Sequence, residues 1–294
     1  SLALLEAAGI PGFRNLEACV ETVALLLRGA LGPKGPAEPL PPAVSRRLDS
    51  LPPGLQSEAV SGAVFEELGL ARPRTLLLDS TDPLPEVIDL VFPLVAKLVS
   101  PDLPHKSEAG AVALGIASRE ELAAGIARMK ASAESHAPGY RLEGVLVQEM
   151  CRGLGEAIIG ITRDPLVGPV VTVGAGGVLA EIYRDTATRP APVTLEAARE
   201  MVAAIDGFAP LRGYRGHPEG DLEALARAVA ALSRLALDPR VEEAEANPVA
   251  VLAPGSGVRM LDALIRTSQH PSGSSSDHGR RTEPGRVLGG GDGS

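Results

Sequence analysis

Tryptophan is absent from this 294-residue chain, and only three tyrosines and four phenylalanines occur. With so few aromatic platforms, a formal net charge of −9 and scattered basic residues, the chain is unsuited to stacking bases or tracking a phosphodiester backbone, which excludes nucleic acid as a partner. Cysteine is nearly absent too. Cys19 and Cys151 lie far apart and read as reduced intracellular thiols, not as a disulfide framework. No His/Cys cluster has metal-ligand spacing. Apolar residues make up 45% of the chain, but no uncharged apolar run reaches the roughly 18 residues of a membrane span, so no membrane is expected. No basic-then-apolar leader opens the chain, and the cytoplasm is the expected compartment. The chain starts at Ser1, which reads as a fragment. A P-loop and a G-x-S-x-G elbow are both missing. Lysine is scarce: Lys34, Lys97, Lys106 and Lys130 are the only four.

Two of those lysines share the stretch 91–115, VFPLVAKLVSPDLPHKSEAGAVALG. An apolar run carrying Lys97 leads through a proline-bounded turn to His105-Lys106-Ser107, then to the small residues of Gly110–Gly115 and a second apolar run. Positive charge beside a backbone that can be approached closely is what a polyphosphate site needs.

Around this stretch the pattern is α+β. Residues 1–30 read as helix, short strand and helix, too little to bury a core, and resemble the end of a preceding domain. Residues 31–42, LGPKGPAEPLPP, form a Pro/Gly-rich linker. A helix is predicted over 56–68 and ends at Gly69, followed by strands over 74–78, 91–99 and 112–117. The amphipathic helix 118–135 opens with a Ser118/Glu121 capping box and turns Leu122, Ile126 and Met129 inward. Strands follow at 144–150, 157–162, 169–173 and 178–183, spaced as in an antiparallel sheet. Thr194 caps a helix to 205, and Asp221 one to about 236. Residues 241–245 lead to Asn247-Pro248 and a strand over 249–252; a Gly-rich hairpin returns through 258–261 to Asp262. From Thr267 to Ser294 almost no apolar residue remains, the composition of a disordered tail.

Glu245 and Asn247, at i and i+2, share one face of a strand, and Asp262 on the returning strand can meet Asn247 across the ladder. An aspartate with an amide oxygen suits Mg²⁺ carrying phosphates; the same residues also suit a solvated turn. Lys97 either points out of an edge strand or lies buried against a negative partner. His105 reads as a base, a ligand or a loop histidine, and Gly174–Gly177 as a tight turn or part of a site.

Four motifs carry a resemblance: PLVAKLVSPDLPHKSEAGAV; GVLVQEMCRGLGEAIIGITRDPLVGPVVTVGAGGVLAEIYRD; LRGYRGHPEGD; and EAEANPVAVL with the later LDALI. In this order and spacing, residues 43–266 resemble the ATP-grasp domain of NDP-forming acyl-CoA synthetases, the ADP-forming acetate–CoA ligases related to succinyl-CoA synthetase. The resemblance implies two α+β subdomains, about 70–143 and 144–266, clamping ATP or ADP with Mg²⁺. It implies a ligase reaction that moves phosphate between nucleotide and a phosphohistidine. The CoA-binding and phosphohistidine domain lies outside this sequence, either in a longer chain or in a partner subunit. By resemblance Lys97 holds the nucleotide phosphates, and His105, Lys106 and Gly110 form the loop over them. Glu149 and Met150 meet ribose and adenine, and Glu156 makes a polar contact nearby. Asn247 and Asp262 bind the metal, and Glu245 helps receive the phosphohistidine. The pattern departs at Ala111, where the family has a second glycine; a methyl there narrows φ and stands to crowd a phosphate. A second reading is a catalytically idle, synthetase-like regulatory module of a protein acetyltransferase.

Overall fold

The computed structural model describes residues 16, 19, 20, 23, 38–79, 83–103, 106, 108–177 and 185–268. The predicted elements in 1–15 and in most of 16–37, the strand at 178–183, the tail beyond Ser268, and His105 lie outside the described residues.

Helices α1 (Pro42–Asp49) and α2 (Glu58–Glu67) flank the short strand β1 (Gly54–Leu55). Strands β2 (Thr75–Asp79), β3 (Leu94–Val99) and β4 (Val112–Ile116) precede α3 (Arg119–His136). Then come β5 (Gly144–Glu149), β6 (Gly155–Asp164), β7 (Gly168–Ala175) and β8 (Thr186–Pro190). Helices α4 (Leu195–Ala203) and α5 (Leu222–Ser233) lead to β9 (Val241–Val251), β10 (Val258–Met260) and β11 (Ala263–Thr267).

Two antiparallel sheets result. One follows the order β2-β5-β3-β4; the other runs β1-β11-β9-β6-β7-β8, with β10 also paired to β9. The small sheet buries Leu94, Ala96 and Leu98 against α3, which turns in Leu122 and Met129 and half-buries Ile126. The large sheet packs on α1, α2, α4 and α5 around Phe65, Ile159, Ile161, Met201 and Leu225. Phe65 has no exposed surface, and such a side chain contributes about 2–3 kcal/mol of burial.

The predicted α+β class and antiparallel pairing hold. Strand 144–149, however, belongs to the small sheet: Lys97 pairs with Leu146 and Leu94 with Glu149. The division expected after residue 143 therefore falls after Glu149. Strand β3 begins at Leu94, after Phe92-Pro93. The segments 241–245 and 249–252 are one strand running through Asn247-Pro248. The ordered chain also reaches past 266: Thr267 is buried, with its hydroxyl donating to the Pro52 carbonyl at 2.8 Å.

Capping residues set the helix starts. Ser118 Oγ accepts the Glu121 amide at 3.1 Å, while Glu121 Oε2 accepts from Ala117 N at 2.8 Å, one residue beyond the expected reciprocal bond. Thr194 Oγ1 accepts from Ala197 N at 3.2 Å. Asp221 does more. Its Oδ1 accepts from Ala224 N at 2.9 Å, and its Oδ2 accepts from Gly255 N at 2.9 Å and Gly257 N at 3.0 Å, tying α5 to the hairpin between β9 and β10. Burial pushes this carboxyl up, but the three amides outweigh burial and hold it below the ordinary aspartate range.

Asp221→Ala should lower the unfolding free energy by about 2–3 kcal/mol in urea titrations near pH 7. Because the folded-state pKa is the lower one, the Asp221 contribution is complete above about pH 4 and disappears as pH falls through the folded value. The difference between wild type and variant should shrink over that acid range.

Candidate functional site

The site lies where the two sheets meet. Strand β3 is central in its sheet, so Lys97 is not on an edge. Alternation sends Leu94, Ala96 and Leu98 into the small core and turns Lys97 the other way, towards the large sheet. There its Nζ donates to Glu58 Oε1 at 2.5 Å and to the Leu261 carbonyl at 2.6 Å. Lys106, on the turn after β3, donates to Glu58 Oε2 at 2.7 Å. Asp262 stands 3.8 Å from Lys97 and 3.6 Å from Lys106.

Strand β9 changes partner at Asn247-Pro248, pairing with β11 up to Ala246 and with β10 from Val249. The intervening Leu261-Asp262 bows out, and its backbone bonds at the break: Asn247 N to the Asp262 carbonyl at 3.2 Å, Leu261 N to the Pro248 carbonyl at 2.9 Å. Asn247 Nδ2 donates to Glu245 Oε1 at 2.9 Å, which leaves Oδ1 as the amide's donor atom for a cation.

Lys97 and Lys106 thus face Asp262, whose carbonyl bonds the Asn247 amide, and Asn247 in turn bonds Glu245. Two ammoniums face two carboxylates, so the four charges cancel. The Glu58 side chain is only 4% exposed. Burial drives its carboxyl up; Lys97 pulls it back, and the Asp262 charge adds to the rise. Burial works against the Lys106 ammonium, but Glu58 and Asp262 outweigh it and hold its pKa above the ordinary lysine value.

Other expected residues stand apart. Glu149 lies three residues along β5 from the partner of Lys97, about 10 Å away. Its Oε1 accepts from Val91 N at 2.9 Å and from Arg74 at 3.3 Å. Met150 donates its amide to the Pro93 carbonyl at 2.9 Å. The Glu156 carbonyl accepts from Gly176 N at 2.7 Å, at a turn where a Cβ on Gly176 would stand 2.9 Å from Glu156. Gly110 has φ +64, and a Cβ there would meet Ser132 Oγ at 2.3 Å, so glycine is required on both counts. Ala111, expected to crowd a phosphate, is fully buried in the small core, and its carbonyl accepts from Leu98 N at 2.9 Å. The methyl packs inward, away from the loop face.

Glu58 was not anticipated. The only local signal is an acidic residue directly after the N-cap Ser57, a pattern common to many helices.

Between the sheets the cleft is narrow: a gap of about 10 Å³ lined by Glu58, Arg72, Gln148, Leu261 and Asp262. A roomier cavity, about 360 Å³, lies elsewhere, between β2 and α3, and none of the expected site residues lines it. Among the described residues no three His, Cys, Asp or Glu side chains cluster as a metal site. The donor types of Asn247 and Asp262, an amide and a carboxylate oxygen, are those that suit a Mg²⁺ ion keeping water and phosphate oxygens as its other ligands.

The description of the ATP-grasp domain family matches residues 54–267. This chain belongs to that family. Its similarities run to ADP-forming acyl-CoA ligases. The β subunit of acetate–CoA ligase (ADP-forming) II from Pyrococcus furiosus is 34% identical over 205 residues, 69% of this chain and 87% of that subunit. Acetate–CoA ligase (ADP-forming) I from Archaeoglobus fulgidus is 40% identical over 168 residues, 57% of this chain. The match spans only 24% of that ligase's own length. Among solved structures, the "dinucleotide forming" acetyl-coenzyme A synthetase 1 of Ca. Korarchaeum cryptofilum, in complex with coenzyme A, Ca-AMPCP and HgCl+, gives a TM-score of 0.68 at 29% identity, covering 76% of this chain and 97% of that one.

Lys97→Met removes one of two cations from a buried carboxylate. Unfolding in urea should show a loss of about 2–3 kcal/mol, less than for a buried pair left with no partner, because Lys106 stays.

Proposed function

We propose that this chain is the nucleotide-binding part of an ADP-forming acyl-CoA synthetase, moving phosphate between a nucleoside diphosphate and a phosphohistidine supplied by a CoA-binding domain or partner subunit. The observation that carries this reading is the convergence of Lys97 and Lys106 on Asp262, whose carbonyl bonds the Asn247 amide, across the two sheets. Ammonium groups suit phosphate oxygens, and the carboxylate and amide oxygens suit the Mg²⁺ that accompanies them. The relatives named above point the same way: a ligase β subunit of similar extent, and a synthetase solved with Ca-AMPCP. The regulatory reading, an idle module of an acetyltransferase, finds no support among these ligases and synthetases.

In the ATP-forming direction the P–N bond of the phosphohistidine breaks, and its electron pair returns to the imidazole. A bond forms from a β-phosphate oxygen of ADP to the phosphorus. Lys97 and Lys106 hold the nucleotide's oxygens and offset the charge that gathers on them. Glu245, bonded to Asn247, stands at the edge where the phosphohistidine approaches. His105, Gly110, Glu149, Met150 and Glu156 complete the proposed set, the last three towards ribose and base. Bound Mg²⁺ would add charge neutralisation on the phosphates, held by Asn247 and Asp262. The cleft, closed on its own ion pairs, has to widen to admit the nucleotide. No helix among the described residues is long and apolar enough to cross a membrane; the cytoplasm is our proposed compartment.

Mg-ADP at a hundredfold excess over its Kd should raise the melting temperature by about 5 °C or more, since a ligand selective for the folded state stabilises it by about 2.7 kcal/mol. Asp262→Asn should abolish the Mg²⁺-dependent part of that shift and retain the shift with ADP in EDTA. A protein whose melting is indifferent to ADP and ATP at millimolar concentration does not do this chemistry.

A further inference from the structure

Glu58 belongs to none of the motifs that suggest a nucleotide site, yet it bonds both of the site's lysines. It occupies the first turn of α2, where a carboxylate is favoured by the helix dipole. Helix α2 packs with the large-sheet core, the body that also carries Asn247 and Asp262. The lysines come from the other body: Lys97 from the centre of the small sheet, Lys106 from the turn beyond it. One carboxylate oxygen goes to each, at 2.5 and 2.7 Å.

A carboxylate is a rigid plate. Two ammoniums bonded to its two oxygens are held near one another by it, in addition to the backbone link that runs from the Lys106 carbonyl through Ala111 to Leu98 N. An ammonium has three donors. Lys97 uses one on Glu58 and one on the Leu261 carbonyl, and Lys106 uses one on Glu58. Their distances to Asp262, 3.8 and 3.6 Å, are too long for hydrogen bonds, so among the described residues both retain donors for an incoming oxygen anion. Compensation of buried charge alone requires a nearby anion but not a bridge with one oxygen per lysine.

We propose that Glu58 is a positioning residue for phosphate recognition: by bridging Lys97 and Lys106 it presents them as one two-pronged donor, in fixed relation to Asn247 and Asp262, to neighbouring oxygens of a nucleoside di- or triphosphate. This rests on the nucleotide reading above.

The four-lysine composition makes the test direct. With lysine labelled by ¹⁵N, the side-chain ammonium signals of the full chain can be assigned by single Lys→Arg changes. In Glu58→Gln, the Lys97 and Lys106 signals should shift, while those of Lys34 and Lys130 stay. ADP alone, in EDTA, should bind this variant at least tenfold more weakly by calorimetry. Glu58→Asp keeps the charge but is one methylene too short to bridge. It should leave one lysine signal near its wild-type position, move the other, and weaken ADP at least fivefold. Glu58→Asp also decides the matter if Glu58→Gln fails to fold. ADP binding by Glu58→Asp within twofold of wild type would show that charge alone suffices and overturn the positioning role. Failure of wild type itself to bind ADP would instead overturn the nucleotide reading, and this inference with it.

Discussion

A lysine ammonium cannot be left alone in a protein interior, and much of this site follows from that constraint. Lys97 lies on the central strand of a sheet whose other face is filled by Leu94, Ala96 and Leu98. Its side chain has no route to solvent along its own sheet and needs counter-charge from outside it. Glu58 supplies that charge from the first turn of a helix on the other body, and the Leu261 carbonyl adds a second acceptor. The meeting of the two sheets, the orientation of α2 and the bowed link between β10 and β11 all bear on this one requirement.

Much of the architecture was legible from local chemistry. Ser118, Thr194 and Asp221 announce helix starts because a short polar side chain satisfies amides that the helix leaves free. Lys97 stood out because a charge in an apolar strand demands a partner. Asn247 and Asp262 were paired from the hairpin that joins them. What could not be read was set by tertiary apposition. Strand β5 follows α3 and precedes β6, and its sequence is apolar enough for either sheet; only pairing with β2 and β3 decides. Glu58 resembles an ordinary helix-capping acid until the small sheet brings two lysines to it. Ala111 read as an obstacle in a phosphate loop because its side-chain direction is a property of the folded turn.

Membership of the ATP-grasp family and the position of the charged cluster support one another. In the proposed reading the two sheets would supply opposite halves of a clamp: cations from the small sheet and its loop, hard oxygen donors from the large one. The proposed metal ligands sit beside Pro248, where β9 changes partner from β11 to β10. Glu149 and Met150 mark the end of β5, at the passage from one body to the other. The proposed base-binding segment is therefore also the connection about which the bodies would separate.

The cancellation of charge within the cleft bears on how an anion arrives. The chain as a whole carries a formal charge of −9, and the cluster of two lysines, Glu58 and Asp262 projects no net positive field to offset it. If Lys97 and Lys106 take the phosphates as proposed, a nucleotide approaching from solution would feel little pull until it is within a few ångströms, where its oxygens could exchange partners with the ammoniums. Capture would then be an ion exchange at contact, not a long-range attraction. Free inorganic and nucleic phosphates, which any exposed lysine pair would collect, meet a site that is already neutral.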